Sequence, residues 1–130
     1  MQSIYKTLVA IIFGFVAGAL SIAALRAQPS SAPAFVIANV EDVKDAAIFA
    51  QYRTAAAKTE AAFGGHAIAR GAGQKLDDSS PPKGEVVVIQ FPSMKALKDW
   101  WSSREYTAVR PLREKSTTSH LFALEGLPPT

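Results

Sequence analysis

Glu85-Val86-Val87-Val88-Ile89-Gln90-Phe91 is the stretch on which the architecture turns. Side chains alternate between the two faces of a strand, and here Val86 to Ile89 place apolar, β-branched groups on both. A strand of this kind belongs in the middle of a sheet with both of its sides covered. Before it, residues 71–84 form a polar loop with Gly71, Gly73, Ser79, Ser80, Pro81, Pro82 and Gly84. That loop separates it from a shorter strand, His66 to Arg70. Further upstream Phe35 to Val40 reads as a strand, with Asn39 near its end. Asp42 is placed to cap a helix running to about Phe63, with Ile48, Tyr52, Ala55, Thr59 and Phe63 on the inner face. Gln51, Arg53, Lys58 and Glu60 fall on the outer face, and Gly64-Gly65 ends the helix.

Downstream of Phe91, Ser93 opens a second helical region to about Trp101. Ser102 with Glu105 forms a capping box that restarts a helix through about Glu114, and His120 to Glu125 is the last strand. The order strand, helix, strand, strand, helix, strand predicts an α+β, ferredoxin-like βαββαβ fold. Its four-stranded antiparallel sheet carries the helices on one face. The other face retains half of the apolar side chains of the third strand, which predicts a partner sheet from a second copy, hence a homodimer.

At 130 residues the chain is long enough for one domain with a core. Thr7 to Leu25 is an uncharged, mostly apolar run between Lys6 and Arg26. Residues 1–27 are therefore expected to be a signal peptide or a membrane anchor. Small residues at Ser21-Ile22-Ala23 suit cleavage. The length of the run and the spacing of Gly14 and Gly18 suit a retained anchor, and both readings stand. Residues 28–33 read as an extended linker and residues 34–127 as the folded domain. The expected location is periplasmic or secreted, or anchored in the inner membrane and facing the periplasm.

Setting Lys6 and Arg26 aside leaves 12 basic residues against 11 acidic, a net charge of +1 for the rest of the chain. Lys95, Lys98, Arg104, Arg110, Arg113 and Lys115 are interleaved with Asp99, Glu105 and Glu114, so no phosphate-tracking surface is expected and nucleic acid is not an expected partner. There are no cysteines, which excludes disulfides, thiolate metal sites and cysteine nucleophiles. The sequence lacks a glycine-rich phosphate loop, a nucleophile elbow and a metal-ligand spacing, so neither cofactor nor metal is expected.

From Phe35 to Gly126 the sequence resembles domain-of-unknown-function family 1330, of the dimeric α/β-barrel superfamily. The resemblance rests on Phe35-Val36-Ile37-Ala38-Asn39-Val40, Tyr52-Arg53, Phe63-Gly64-Gly65, Arg70-Gly71, Val86 through Ser93, Trp100-Trp101, Ser103 through Tyr106, and Arg110 with Arg113. It implies a homodimer whose two sheets face one another, with a cavity between each sheet and its helices. Relatives in the superfamily include cofactor-free monooxygenases, lactone isomerases, haem proteins and stress-response proteins, so the fold alone names no chemistry. This sequence departs from the family where Gln90 replaces a usual carboxylate and His66 a usual arginine.

His66 is the candidate general base, because an imidazole titrates near neutrality. His66, Ile68 and Arg70 alternate onto one face of their strand, which would put Arg70 beside His66. Arg70 and Arg113 are candidate grips for a carboxylate, with pairing of Arg70 to an acid at the sheet edge as the alternative. Tyr52, Trp101 and Tyr106, with Gln90, are candidate ligand contacts, although aromatic residues at such spacings also build cores. Arg110 and Arg113 could instead pair with Glu105 or Glu114 on the surface. The expected function is dimeric binding of a compact apolar or aromatic molecule. The alternatives are a cofactor-independent oxygenase or isomerase, and a structural dimerisation module.

Overall fold

A computed structural model describes residues 31–130. The expected leader, and half of the expected linker, lie outside the described residues. The elements are β1 (Ala34–Val43), α1 (Ala46–Ala62), β2 (His66–Ala72), β3 (Glu85–Phe91), α2 (Met94–Trp101), α3 (Arg104–Ser116) and β4 (Thr117–Glu125). The four strands lie in the order β2-β3-β1-β4, each antiparallel to its neighbour. This is the ferredoxin-like arrangement, and β3 sits in the interior of the sheet as its apolar run requires. Among the described residues no helix is long and apolar enough to cross a membrane.

Three boundaries differ from the sequence expectation, each because a backbone partner outcompetes a local cap. Asp42 does not cap α1. After a register shift in β1, Asp42 and Val43 pair with Thr118 and Thr117, so the strand runs on and β4 begins earlier than His120. The cap passes to Asp45, whose Oδ1 accepts from the Ile48 amide at 3.0 Å. Likewise Ser103 rather than Ser102 caps α3, its Oγ accepting from the Tyr106 amide at 3.2 Å. Ser102 closes α2 instead, donating its hydroxyl to the Lys98 carbonyl.

The register divides the sheet cleanly. Ala34, Val36 and Ala38 of β1 pair with Phe91, Ile89 and Val87 of β3, and these six side chains are buried beneath the helices. Their alternates Phe35, Ile37, Val86 and Val88 are half-buried on the opposite face. Phe122 and Leu124 on β4 extend that apolar face and are 55% and 52% exposed.

Under the helices the core is aromatic. Trp100 and Tyr106 are fully buried, with ring centroids 4.1 Å apart, and Phe91 lies 5.2 Å from Trp100. The Trp100 indole N–H donates to Thr59 Oγ1 at 3.0 Å, which ties α2 to α1. Truncating a buried aromatic of this kind costs roughly 3–5 kcal/mol.

The turn into β3 depends on Gly84. Its φ of +81° is a conformation that other L-residues rarely adopt, and a Cβ there would strike the Val40 carbonyl. Gly84→Ala is expected to lower the unfolding free energy by roughly 2–4 kcal/mol in a denaturant titration. A change within about 0.5 kcal/mol, the ordinary surface range, would contradict the close approach of the loop to β1.

Candidate functional site

A cavity of about 250 Å³ lies between α1 and the sheet. It exists because the facing positions are small. Ala38 on β1 and Ala56 and Ala57 on α1 line it, where leucine or isoleucine would fill the layer. Val40, Val87, Ile89, Phe49 and Trp100 complete an apolar wall. An apolar cavity of about 150 Å³ accepts benzene, so this one has room for a single ring with polar substituents.

The polar groups of the cavity sit towards its two sides. On the β4 side is Arg113, from α3, which is only 9% exposed. One of its terminal amino groups donates to Ser119 Oγ on β4 at 2.8 Å, and its buried Nε–H has no partner among the described residues. Tyr52 approaches from α1, its hydroxyl 3.0 Å from that of Tyr106. Tyr106 is fully buried and makes no other side-chain hydrogen bond among the described residues, and either hydroxyl can be the donor in the bond that joins it to Tyr52. Burial, with the neighbouring Tyr106 second, pushes the Tyr52 pKa far above the ordinary phenol range, so Tyr52 stays a neutral donor.

On the β2 side is Glu60. Its side chain lines the cavity, the residue is 8% exposed, and it forms neither ion pair nor side-chain hydrogen bond with any described residue. Burial raises its pKa, and the positive charge of Arg70 offsets part of the rise. Sequence reasoning put Glu60 on the outer face of α1, but the buried residues of this helix are Phe49, Ala56, Thr59 and Glu60. Ile48 and Ala55 are only half-buried. Eight alanines in α1 fit either face, so periodicity alone set the inner face a fraction of a turn wrong. The three- and four-residue spacing of Phe49, Tyr52 and Ala56 was the available signal, since it leads by a further four residues to Glu60.

Of the residues singled out from the sequence, the cavity brings together Tyr52, His66, Arg70 and Arg113. It does not include Gln90, Trp101 or Tyr106. Gln90 pairs with Phe35 and His66 and belongs to the opposite face of the sheet. Trp101 turns outward under the Arg110 guanidinium, which stacks 4.1 Å from its ring centroid, and Tyr106 stands behind Tyr52. The expected alternation of His66, Ile68 and Arg70 on one face is also broken. A bulge between Ala67 and Ala69 leaves Ala67 opposite Ile89 and Arg70 opposite Val87, both inner positions, while His66 pairs with Gln90. Arg70 takes the sheet-edge option, pairing with Glu85 at 2.9 Å. Neither Arg110 nor Arg113 pairs with Glu105 or Glu114. Among the described residues no cluster of three or more histidines and carboxylates is placed to hold a metal ion.

Topology and cavity thus define an α+β, ferredoxin-like protein with a ligand-sized space between its sheet and its first helix. The chain belongs to the family described as domain of unknown function (DUF1330), which matches residues 33–127. Among solved structures it is similar to RPA0582, a protein of unknown function from Rhodopseudomonas palustris. The two are 20% identical with a TM-score of 0.61, covering 84% of this chain and 93% of that one. It is also similar to SnoaB, a cofactor-independent oxygenase from Streptomyces nogalater, at 13% identity and a TM-score of 0.51, over 77% of this chain and 97% of that one. At these identities the likeness is one of fold. No curated protein matches the chain.

Glu60 sets the sign of a stability change with pH. Its pKa in the fold lies above the 4.5 of an unburied glutamate, so between those two values the folded state holds more protons than the unfolded one. Stability attributable to Glu60 therefore falls as pH rises from about 4.5 through the folded pKa. Glu60→Gln is expected to be more stable than wild type at mildly alkaline pH, with the gap closing on acidification, as measured by thermal melting across pH. A gap that widens on acidification would contradict the burial of this carboxyl.

Proposed function

We propose that the protein is an exported homodimer that binds a compact aromatic or apolar molecule carrying a carboxylate or similar anion. One observation carries this reading, the buried Arg113 guanidinium on the cavity wall, which no carboxylate among the described residues neutralises. A buried charge lacking a partner costs several kcal/mol, and no acid of the described chain is paired with Arg113. A bound carboxylate would supply the missing counter-charge to the terminal nitrogens of the guanidinium, with the Tyr52 hydroxyl as a second donor. The apolar wall accounts for the rest of the ligand.

Export follows from the apolar run Thr7 to Leu25. Dimerisation through the uncovered face of the sheet follows from Ile37, Val88, Phe122 and Leu124, which form an apolar surface that a second copy would bury. A second reading is a cofactor-independent oxygenase or isomerase with His66 as base. It rests on His66 bordering the cavity at the start of β2 and on the fold shared with SnoaB, and it requires the imidazole to turn inward from the outer-face position that it holds opposite Gln90. Under that reading His66→Ala abolishes turnover of an identified substrate and leaves the dimer intact.

Benzoate is expected to bind the purified protein and to alter the fluorescence of Trp100, which lines the cavity. Arg113→Met is expected to weaken that binding by about tenfold or more, the loss that follows from one charge-assisted hydrogen bond. Equal affinity in the variant would remove Arg113 from the site. In analytical ultracentrifugation, Phe122→Glu is expected to convert a dimer to a monomer. A variant that sediments as wild type would place the interface elsewhere.

A further inference from the structure

The two buried charges of the cavity lie across the sheet from one another. Arg113 is anchored to Ser119 on β4, whereas Glu60 lies within the influence of Arg70 on β2, and these strands are the two edges of the sheet. Three strand spacings separate the edges, about 14 Å. Along α1, Tyr52 and Glu60 are eight residues apart, about 12 Å of helix axis. Between the charged ends the lining is Ala56, Val87 and Ile89. The cavity is thus polar at both ends and apolar at its waist.

The ends ask for opposite things. Arg113 and Tyr52 are donors and take an acceptor. Glu60, once ionised, is acceptor-only and has no donor among the described residues, because the nearby Arg70 is engaged with Glu85. Resting on the binding reading above, we infer that Glu60 accepts a hydrogen bond from a hydroxyl at the far end of the ligand, so that the ligand class is the hydroxylated aromatic acids. A ring with a carboxylate and a para hydroxyl reaches both ends while its faces contact the alanine and valine side chains of the waist. Benzoate alone would leave Glu60 desolvated and unpaired, which weakens its binding.

The test is isothermal titration of the full protein with 4-hydroxybenzoate, benzoate and 4-methoxybenzoate. Wild type is expected to bind 4-hydroxybenzoate about tenfold or more tighter than benzoate, and 4-methoxybenzoate, which offers no donor, no tighter than benzoate. In Glu60→Leu the ratio between 4-hydroxybenzoate and benzoate is expected to fall to within about twofold, since the acceptor is gone. Equal affinity of wild type for the hydroxy and methoxy acids, or an unchanged ratio in Glu60→Leu, would overturn the role of Glu60 and leave the role of Arg113 standing. Failure of all three acids to bind would instead overturn the binding reading, and this inference with it. Should Glu60→Leu not fold, the wild-type series alone decides, with 4-fluorobenzoate added as a donor-free acid close in size to the hydroxy acid, because the methoxy acid also adds a methyl group.

Discussion

The burial of Trp100 is the constraint on which the rest of the structure depends. Its indole packs against Phe91 of β3 and Tyr106 of α3, and its N–H reaches Thr59 of α1, so one side chain joins three helices to the centre of the sheet. Thr59 accepts this bond while donating its own hydroxyl to the Ala56 carbonyl, which leaves both polar groups satisfied in an apolar layer. The aromatic wedge fixes how far α1 stands above the strands. With the height set by aromatics at one end of the helix layer and alanines facing each other further along, space remains between Ala38 and Ala56. The same wedge holds Tyr106 in place, and Tyr106 in turn directs the Tyr52 hydroxyl. Packing and site are consequences of one arrangement.

A protein interior that holds one cation and one carboxylate ordinarily brings them together, since separate burial costs several kcal/mol for each. Here Arg113 and Glu60 are both more than nine-tenths buried, line one cavity and do not meet. Stability is given up at two points that border the same space, and departures of this kind collect where a chain recognises something else. Arg70 and Glu85 show the contrast. They pair at the sheet edge, partly exposed, where the bond contributes little and asks for no ligand.

Much of the fold was legible because its signals are local and strong. Val86 to Ile89 marked the central strand, Gly64-Gly65 ended the first helix, and the order of elements then allowed one topology. The site was legible only in part. Tyr52, His66, Arg70 and Arg113 were picked by residue type, and all four border the cavity, His66 from a strand position that belongs to the other face. Glu60 was not, because α1 is so rich in alanine that its apolar stripe has no sharp edge, and a charged residue at such an edge reads as solvent-facing. The bulge in β2 left no mark either. Ile68 adds one residue to a strand without the glycine or proline that announces such irregularities, and the face assigned to His66 relative to Arg70 inverted with it. Gln90 and Trp101 fall outside this cavity for a simpler reason: sequence gives the alternation along a strand or helix, and which side faces the helices is decided by the whole sheet.

What occupies the space beneath α1 decides whether Arg113 and Glu60 form a ligand site. A crystal structure of the protein with 4-hydroxybenzoate is expected to show the ring between Ala56 and Val87, with the carboxylate on Arg113 and Tyr52 and the hydroxyl on Glu60. A ring bound on the outer face of the sheet, or Arg113 and Glu60 closing on each other across a collapsed cavity, would contradict it.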